Sequence, residues 1–131
     1  MKIIDCFMYF DEDMLLDLRL NTLDKHVSHF IICEAAFNHN GLPKKLNFNI
    51  KNFSKFKNKI SYIALNQQPS NLKIIKNDDS EKVKKHKTLD NALIRENYQR
   101  NSLLRELNKF SNDDLIIISD LDEIPNLDNF T

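Results

Sequence analysis

The segment Leu115-Ile116-Ile117-Ile118-Ser119-Asp120-Leu121-Asp122-Glu123-Ile124-Pro125 constrains this chain more than any other stretch. Its apolar, isoleucine-rich start reads as a strand buried on both faces of a sheet. The run then ends in three carboxylates, and Pro125 cannot continue a hydrogen-bonded ladder. Side chains two apart on an extended chain point the same way, so Asp120 and Asp122 share a face. In open α/β sheets, ligands gather beyond the carboxyl ends of the strands. Two hard oxygen ligands at such an edge suit Mg²⁺ or Mn²⁺ held jointly with substrate phosphates. A solvated acidic turn that ends a core strand is the plainer alternative.

Upstream, strand-like and helix-like patterns alternate. Residues 3–10 read as a first strand, and Asp11, Glu12 and Asp13 then favour the positive end of a helix. That helix is expected over 13–26, with Met14, Leu15, Leu18 and Leu23 as its apolar stripe. A second buried strand at 30–35 carries Glu34 near its end, and a turn-rich loop follows at 38–45. Residues 48–59 give a weak signal, in which Phe53 and Phe56 would anchor a short helix. A third strand is expected at 60–65. Residues 67–87 are polar, and their basic run 82–87 reads as a solvated face or loop.

A long helix is expected over 89–110. At 100° per residue Leu89, Ala92, Leu93, Leu103, Leu104, Leu107 and Phe110 share one face. Glu96 and Arg100 fall in the middle of that face, with the acid N-terminal, the favourable order for pairing. A charged pair within a core stripe is costly, so it reads either as a buried register lock or as the floor of a ligand site. The alternation of strands and helices implies an α/β domain with a mostly parallel sheet flanked by helices.

At 131 residues the chain makes one domain rather than two. Its 19 basic and 19 acidic groups balance, so no charge excess points to nucleic acid. Glycine occurs once, at Gly41, which excludes both glycine-rich dinucleotide loops and phosphate-binding P-loops. A nucleotide would therefore be held by side chains and a metal. Cys6 and Cys33 sit in apolar runs and read as buried free thiols. With no signal-like segment and no apolar run near 18 residues, the expected location is cytoplasmic or peripheral to a membrane.

Arg95-Glu96-Asn97-Tyr98-Gln99-Arg100-Asn101 followed by Ser119-Asp120-Leu121-Asp122-Glu123-Ile124-Pro125 resembles the glycosyltransferases of family 17. Asp5-Cys6-Phe7, Phe10, Glu12, Leu18-Arg19-Leu20, Glu34-Ala35, His39 and Gly41-Leu42-Pro43-Lys44 are similar too, in order along nearly the whole chain. The best-known members of that family are β-1,4-mannosyl-glycoprotein N-acetylglucosaminyltransferases. The resemblance implies a GT-A-like, Rossmann-like fold, a UDP-N-acetylglucosamine donor, a glycan acceptor and Mn²⁺ or Mg²⁺. By that resemblance Asp120 reaches the donor ribose or sugar and Asp122 helps hold the metal. Glu96, Arg100 and Asn101 would line the donor side, with Glu34 and Asp5 as weaker candidates at the nucleoside end and His39 a loop residue.

The base that deprotonates the acceptor hydroxyl is expected past Thr131, since Glu123 adjoins a metal ligand and suits the role poorly. Residues 1–131 then read as the N-terminal, donor-binding half of such a domain. A bacterial-type soluble member building a surface polysaccharide or lipid-linked glycan is the expected setting. The alternatives are a nucleotide-sugar-binding half-domain without catalysis and a haloacid-dehalogenase-type phosphatase with Asp120 as nucleophile.

Overall fold

Each apolar run becomes a strand: β1 (Ile3–Met8), β2 (His29–Ala35), β3 (Ile60–Leu65) and β4 (Leu115–Ser119). In the computed structural model, which describes residues 1–130, they form one sheet in the order β3-β2-β1-β4. Every pairing is parallel. Parallel neighbours need long crossovers, and helices supply them on both faces. Helix α1 (Asp13–Leu23) joins β1 to β2, and α2 (Glu81–Ser102) lies between β3 and β4. The expected α/β architecture is the observed one.

Against one face of the sheet, Leu16, Leu20 and Leu23 of α1 pack on Phe7, Phe30 and Ile32. Phe53 and Phe56 join them from a 3-10 helix, Ile50–Lys59, the short helix those two rings were expected to anchor. Each such side chain, once buried, contributes roughly 1.5–3 kcal/mol. The opposite face buries Ile4, Cys6, Ile31 and Cys33 beneath Leu103. Both cysteines are free and buried, as expected. Loss of solvation pushes the Cys6 thiol up to about 12 and the Cys33 thiol to about 11, so neither is a nucleophile at neutral pH.

Three expectations are corrected. First, β4 is an edge strand among the described residues, not one buried on both faces: its residues are mostly half-buried, and Ile118 is 43% exposed. An isoleucine run records hydrophobicity, not its place in the strand order. Second, Met14 and Leu18 of the expected α1 stripe face solvent, and Leu16, Arg19, Leu20 and Leu23 face inward. The helix is apolar on more than one side, and the inward side is the one that delivers Arg19 to Asp5.

Third, α2 begins at Glu81, just ahead of the basic run, where the Ser80 hydroxyl caps it by accepting from the Val83 amide at 3.2 Å. It gives way to a 3-10 helix, Leu103–Lys109, before reaching Phe110. Its expected core face is buried only in part: Leu103 is buried, and Leu107 and Phe110 pack with it against the sheet. Leu89, Leu93 and Leu104 are exposed, while Asn91, Gln99 and Ser102 are buried. These polar groups hydrogen-bond to backbone once buried. Asn91 both accepts from the Lys73 amide (2.7 Å) and donates to the Lys73 carbonyl (2.9 Å). Gln99 donates to the Cys33 carbonyl at 3.2 Å.

Gly41 turns the loop after β2 with φ at +86°, a region that L side chains avoid. A Cβ there would lie 2.5 Å from Arg95 Nη2. Arg95 uses that proximity to donate to the His39 carbonyl (2.9 Å) and to the Gln68 side chain (2.8 Å). The loop after β2 is thereby tied to α2.

Candidate functional site

At the carboxyl end of the sheet, a cavity of about 380 Å³ opens between the ends of β1 and β4. Tyr9, Phe10 and Glu12 from the β1–α1 connection form one wall, and Asp120, Leu121 and Asp122 form another. Gln99 of α2 and His39 of the loop after β2 complete it. Such a crevice beyond parallel strand ends is where this architecture places ligands. Phe7 stands beside Ser119 in the β1–β4 register, so the two connections leave the sheet side by side.

After Ser119 the chain folds back on itself, with the Glu123 amide donating to the Asp120 carbonyl at 2.9 Å. The Glu123 carboxylate in turn accepts from the Asp120 amide at 3.0 Å. As a result, Asp120, Asp122 and Glu123 each offer a carboxylate oxygen within 4.8 Å of the others. All three are exposed. Three hard oxygen donors at that spacing fit a divalent cation of the Mg²⁺ or Mn²⁺ kind, with positions left for water and phosphate.

Arg100 joins this group from α2. It donates to Asp120 Oδ1 at 3.3 Å and to Glu96 Oε1 at 3.2 Å. The pairing of Glu96 with Arg100 is the expected one, yet it is half-exposed rather than core: the side chains are 35% and 40% accessible. In that setting the ion pairs are worth about 0–1 kcal/mol each. Their significance is positional, since they set a guanidinium at the rim of the acidic loop. Asn101, the next residue of α2, is exposed, and Gln99 is the α2 residue that lines the cavity.

Asp5 and Glu34 are not brought to the cavity wall; both are fully buried. Glu34 organises the loop beyond it. Its carboxylate accepts from Lys44 Nζ (2.5 Å), the Asn47 amide (2.7 Å), the Phe48 amide (3.0 Å) and the Tyr62 hydroxyl (2.8 Å). Burial, then the bond to Glu34, drives the Tyr62 phenol far above its ordinary range, so it remains a donor. Glu34→Gln is expected to lower stability by about 1.5–3 kcal/mol, because an amide cannot accept all four donors. Urea unfolding measures this, and a midpoint equal to the native one would contradict it.

Asp5 is held by Arg19, a residue quoted in the family-like pattern but given no role by the sequence. Arg19 Nε and Nη2 donate to the two Asp5 oxygens at 2.8 and 2.7 Å. Nη2 also reaches Ser119 Oγ at 2.6 Å. Nη1 donates to the carbonyls of Asp120 (2.7 Å), Leu121 (3.2 Å) and Glu123 (3.1 Å). The guanidinium carbon stands 4.6 Å from the centre of the Phe7 ring. The one signal available from sequence was an arginine flanked by leucines, Leu18-Arg19-Leu20, in the middle of the helix.

The other residues missed by sequence reasoning are Tyr9, Glu12 and Gln99. Tyr9 donates to Asp13 Oδ1 at 2.5 Å, and burial followed by that bond raises its phenol well above the usual range. Glu12 is raised as well, chiefly by desolvation. The expected position of the acceptor base, past Thr131, lies outside the described residues. Among the described residues no helix is long and apolar enough to cross a membrane.

Comparison with known proteins gives one match: the sequence model of glycosyltransferase family 17 spans residues 1–131. No curated protein and no solved structure matches the chain.

Proposed function

The chain belongs to glycosyltransferase family 17, and from that premise we propose that residues 1–131 bind a UDP-sugar, with N-acetylglucosamine as the sugar, for transfer to a hydroxyl of a glycan acceptor. The observation that carries this reading is the meeting of three carboxylates and Arg100 at the mouth of the cavity between β1 and β4. Asp122 and Asp120 would hold Mn²⁺ or Mg²⁺, with Glu123 beside them. A divalent cation there would offset charge gathering on the diphosphate as the bond from the sugar breaks.

The chain's own groups divide the remaining work. Arg100 is poised to exchange part of its bond with Asp120 for a phosphate oxygen, for which its planar fork of donors is suited. Tyr9, Phe10 and Leu121 give the cavity apolar walls, against which a sugar or base ring would pack. In this reading the acceptor oxygen attacks the anomeric carbon as the bond to the diphosphate opens. Family membership over the full length also sets the phosphatase alternative aside.

Calorimetric titration of the chain with UDP-N-acetylglucosamine, with Mn²⁺ and then with excess chelator, tests the proposal. Binding that depends on Mn²⁺ is expected. Equal heats under both conditions would overturn it.

A further inference from the structure

Asp120, Asp122 and Glu123 repel one another at less than 5 Å, and an exposed loop of three acids would spread unless something drew its backbone together. Arg19 is placed to do so. Three carbonyls of that loop, those of Asp120, Leu121 and Glu123, converge on one guanidinium nitrogen, and the Ser119 hydroxyl meets another. The positive group is 0% accessible, while the three acidic residues are exposed to solvent.

Asp5 takes the two remaining donor directions and fixes the plane of the fork. Packing alone does not call for this arrangement. A buried ion pair can often be replaced by apolar residues with little loss of stability, but apolar residues could not gather three carbonyls.

We infer that Arg19, oriented by Asp5, is a positioning residue that presets the acidic loop for a divalent cation, so that cation affinity is set from the buried side of the loop. This rests on the donor-site reading above. Arg19→Lys keeps the charge opposite Asp5 but cannot span the loop carbonyls, and it is expected to weaken Mn²⁺ binding about 10- to 100-fold, as loss of an outer partner of a metal site does. Ser119→Ala leaves the ion pair intact, and it is expected to weaken Mn²⁺ binding about fivefold, the worth of one ordinary hydrogen bond.

The test is Mn²⁺ titration followed by electron paramagnetic resonance, with amide hydrogen exchange over 120–124 and thermal unfolding measured on the same samples. Weaker Mn²⁺ binding and faster exchange in the folded variants support the inference. If Arg19→Lys does not fold, Ser119→Ala decides. Native Mn²⁺ affinity in the folded variants, even with lowered unfolding midpoints, would overturn the inference and leave Arg19 a packing residue. A native chain that takes up no Mn²⁺ would sink the donor-site reading first, and this inference with it.

Discussion

Arg19→Met is expected to lower the stability of the fold by about 3–5 kcal/mol, the usual result of removing one partner of a buried ion pair. The substitution leaves the Asp5 carboxylate inside the sheet with neither solvent nor counter-charge, since both residues are fully buried. It also strips a donor from three loop carbonyls and the contact with the Phe7 ring. Total stabilities of small domains are only about 5–15 kcal/mol, so the variant stands near the edge of folding. Denaturant unfolding monitored by circular dichroism measures the loss. The double variant Asp5→Leu, Arg19→Met removes the stranded charge and is expected to recover more than half of it. A single variant as stable as the native chain would show that the pair is not what joins β1, α1 and the acidic loop.

Asp122→Ala is expected to act in the opposite way, with a large effect on binding and almost none on folding. The residue is exposed, and surface changes of this kind alter stability by less than about 0.5 kcal/mol. Removing one of three crowded carboxylates relieves repulsion, so the unfolding midpoint should hold or rise slightly. Mn²⁺-dependent binding of UDP-N-acetylglucosamine should fall by more than about 100-fold, beyond what loss of an outer-sphere partner produces. Calorimetry against the native chain reads both the affinity and its metal dependence. Retained Mn²⁺-dependent binding would remove Asp122 from the site. Asp120→Ala makes a useful contrast because it also releases Arg100.

The parts of the fold that depend on local pattern were legible in the sequence. All four strands, the alternation that makes their sheet parallel, and the short helix under Phe53 and Phe56 follow from runs of neighbouring residues. The pairing of Glu96 with Arg100 was also legible, from their spacing of four on a helix. What depends on partners distant in the chain was not.

Helix α2 starts eight residues ahead of its expected beginning at 89, because its first turns, Glu81 to Lys87, are solvated and carry no apolar period. Only Ser80 and the acid after it mark the start. Its buried face departs from the apolar stripe at Asn91 and Gln99, which face inward to hydrogen-bond backbone groups of Lys73 and Cys33, pairings that no hydrophobic count registers. β4 looked central because an edge strand and an inner one can share a sequence. Asp5 and Glu34 looked like ligands at strand ends, yet Asp5 pairs with a side chain 14 residues away. Glu34 collects donors from a loop that the sequence leaves unstructured.

The contact from Arg19 to the Asp120 carbonyl spans 101 residues of chain. A ribosome making this protein releases β1 and α1 long before β4, and chain segments settle in roughly that order. Until the last strand docks beside the first, Arg19 has only Asp5 for company, and the acids at 120–123 are still unmade or unshaped. A nascent or half-folded chain therefore carries these acids without the backbone arrangement that Arg19 gives the folded loop.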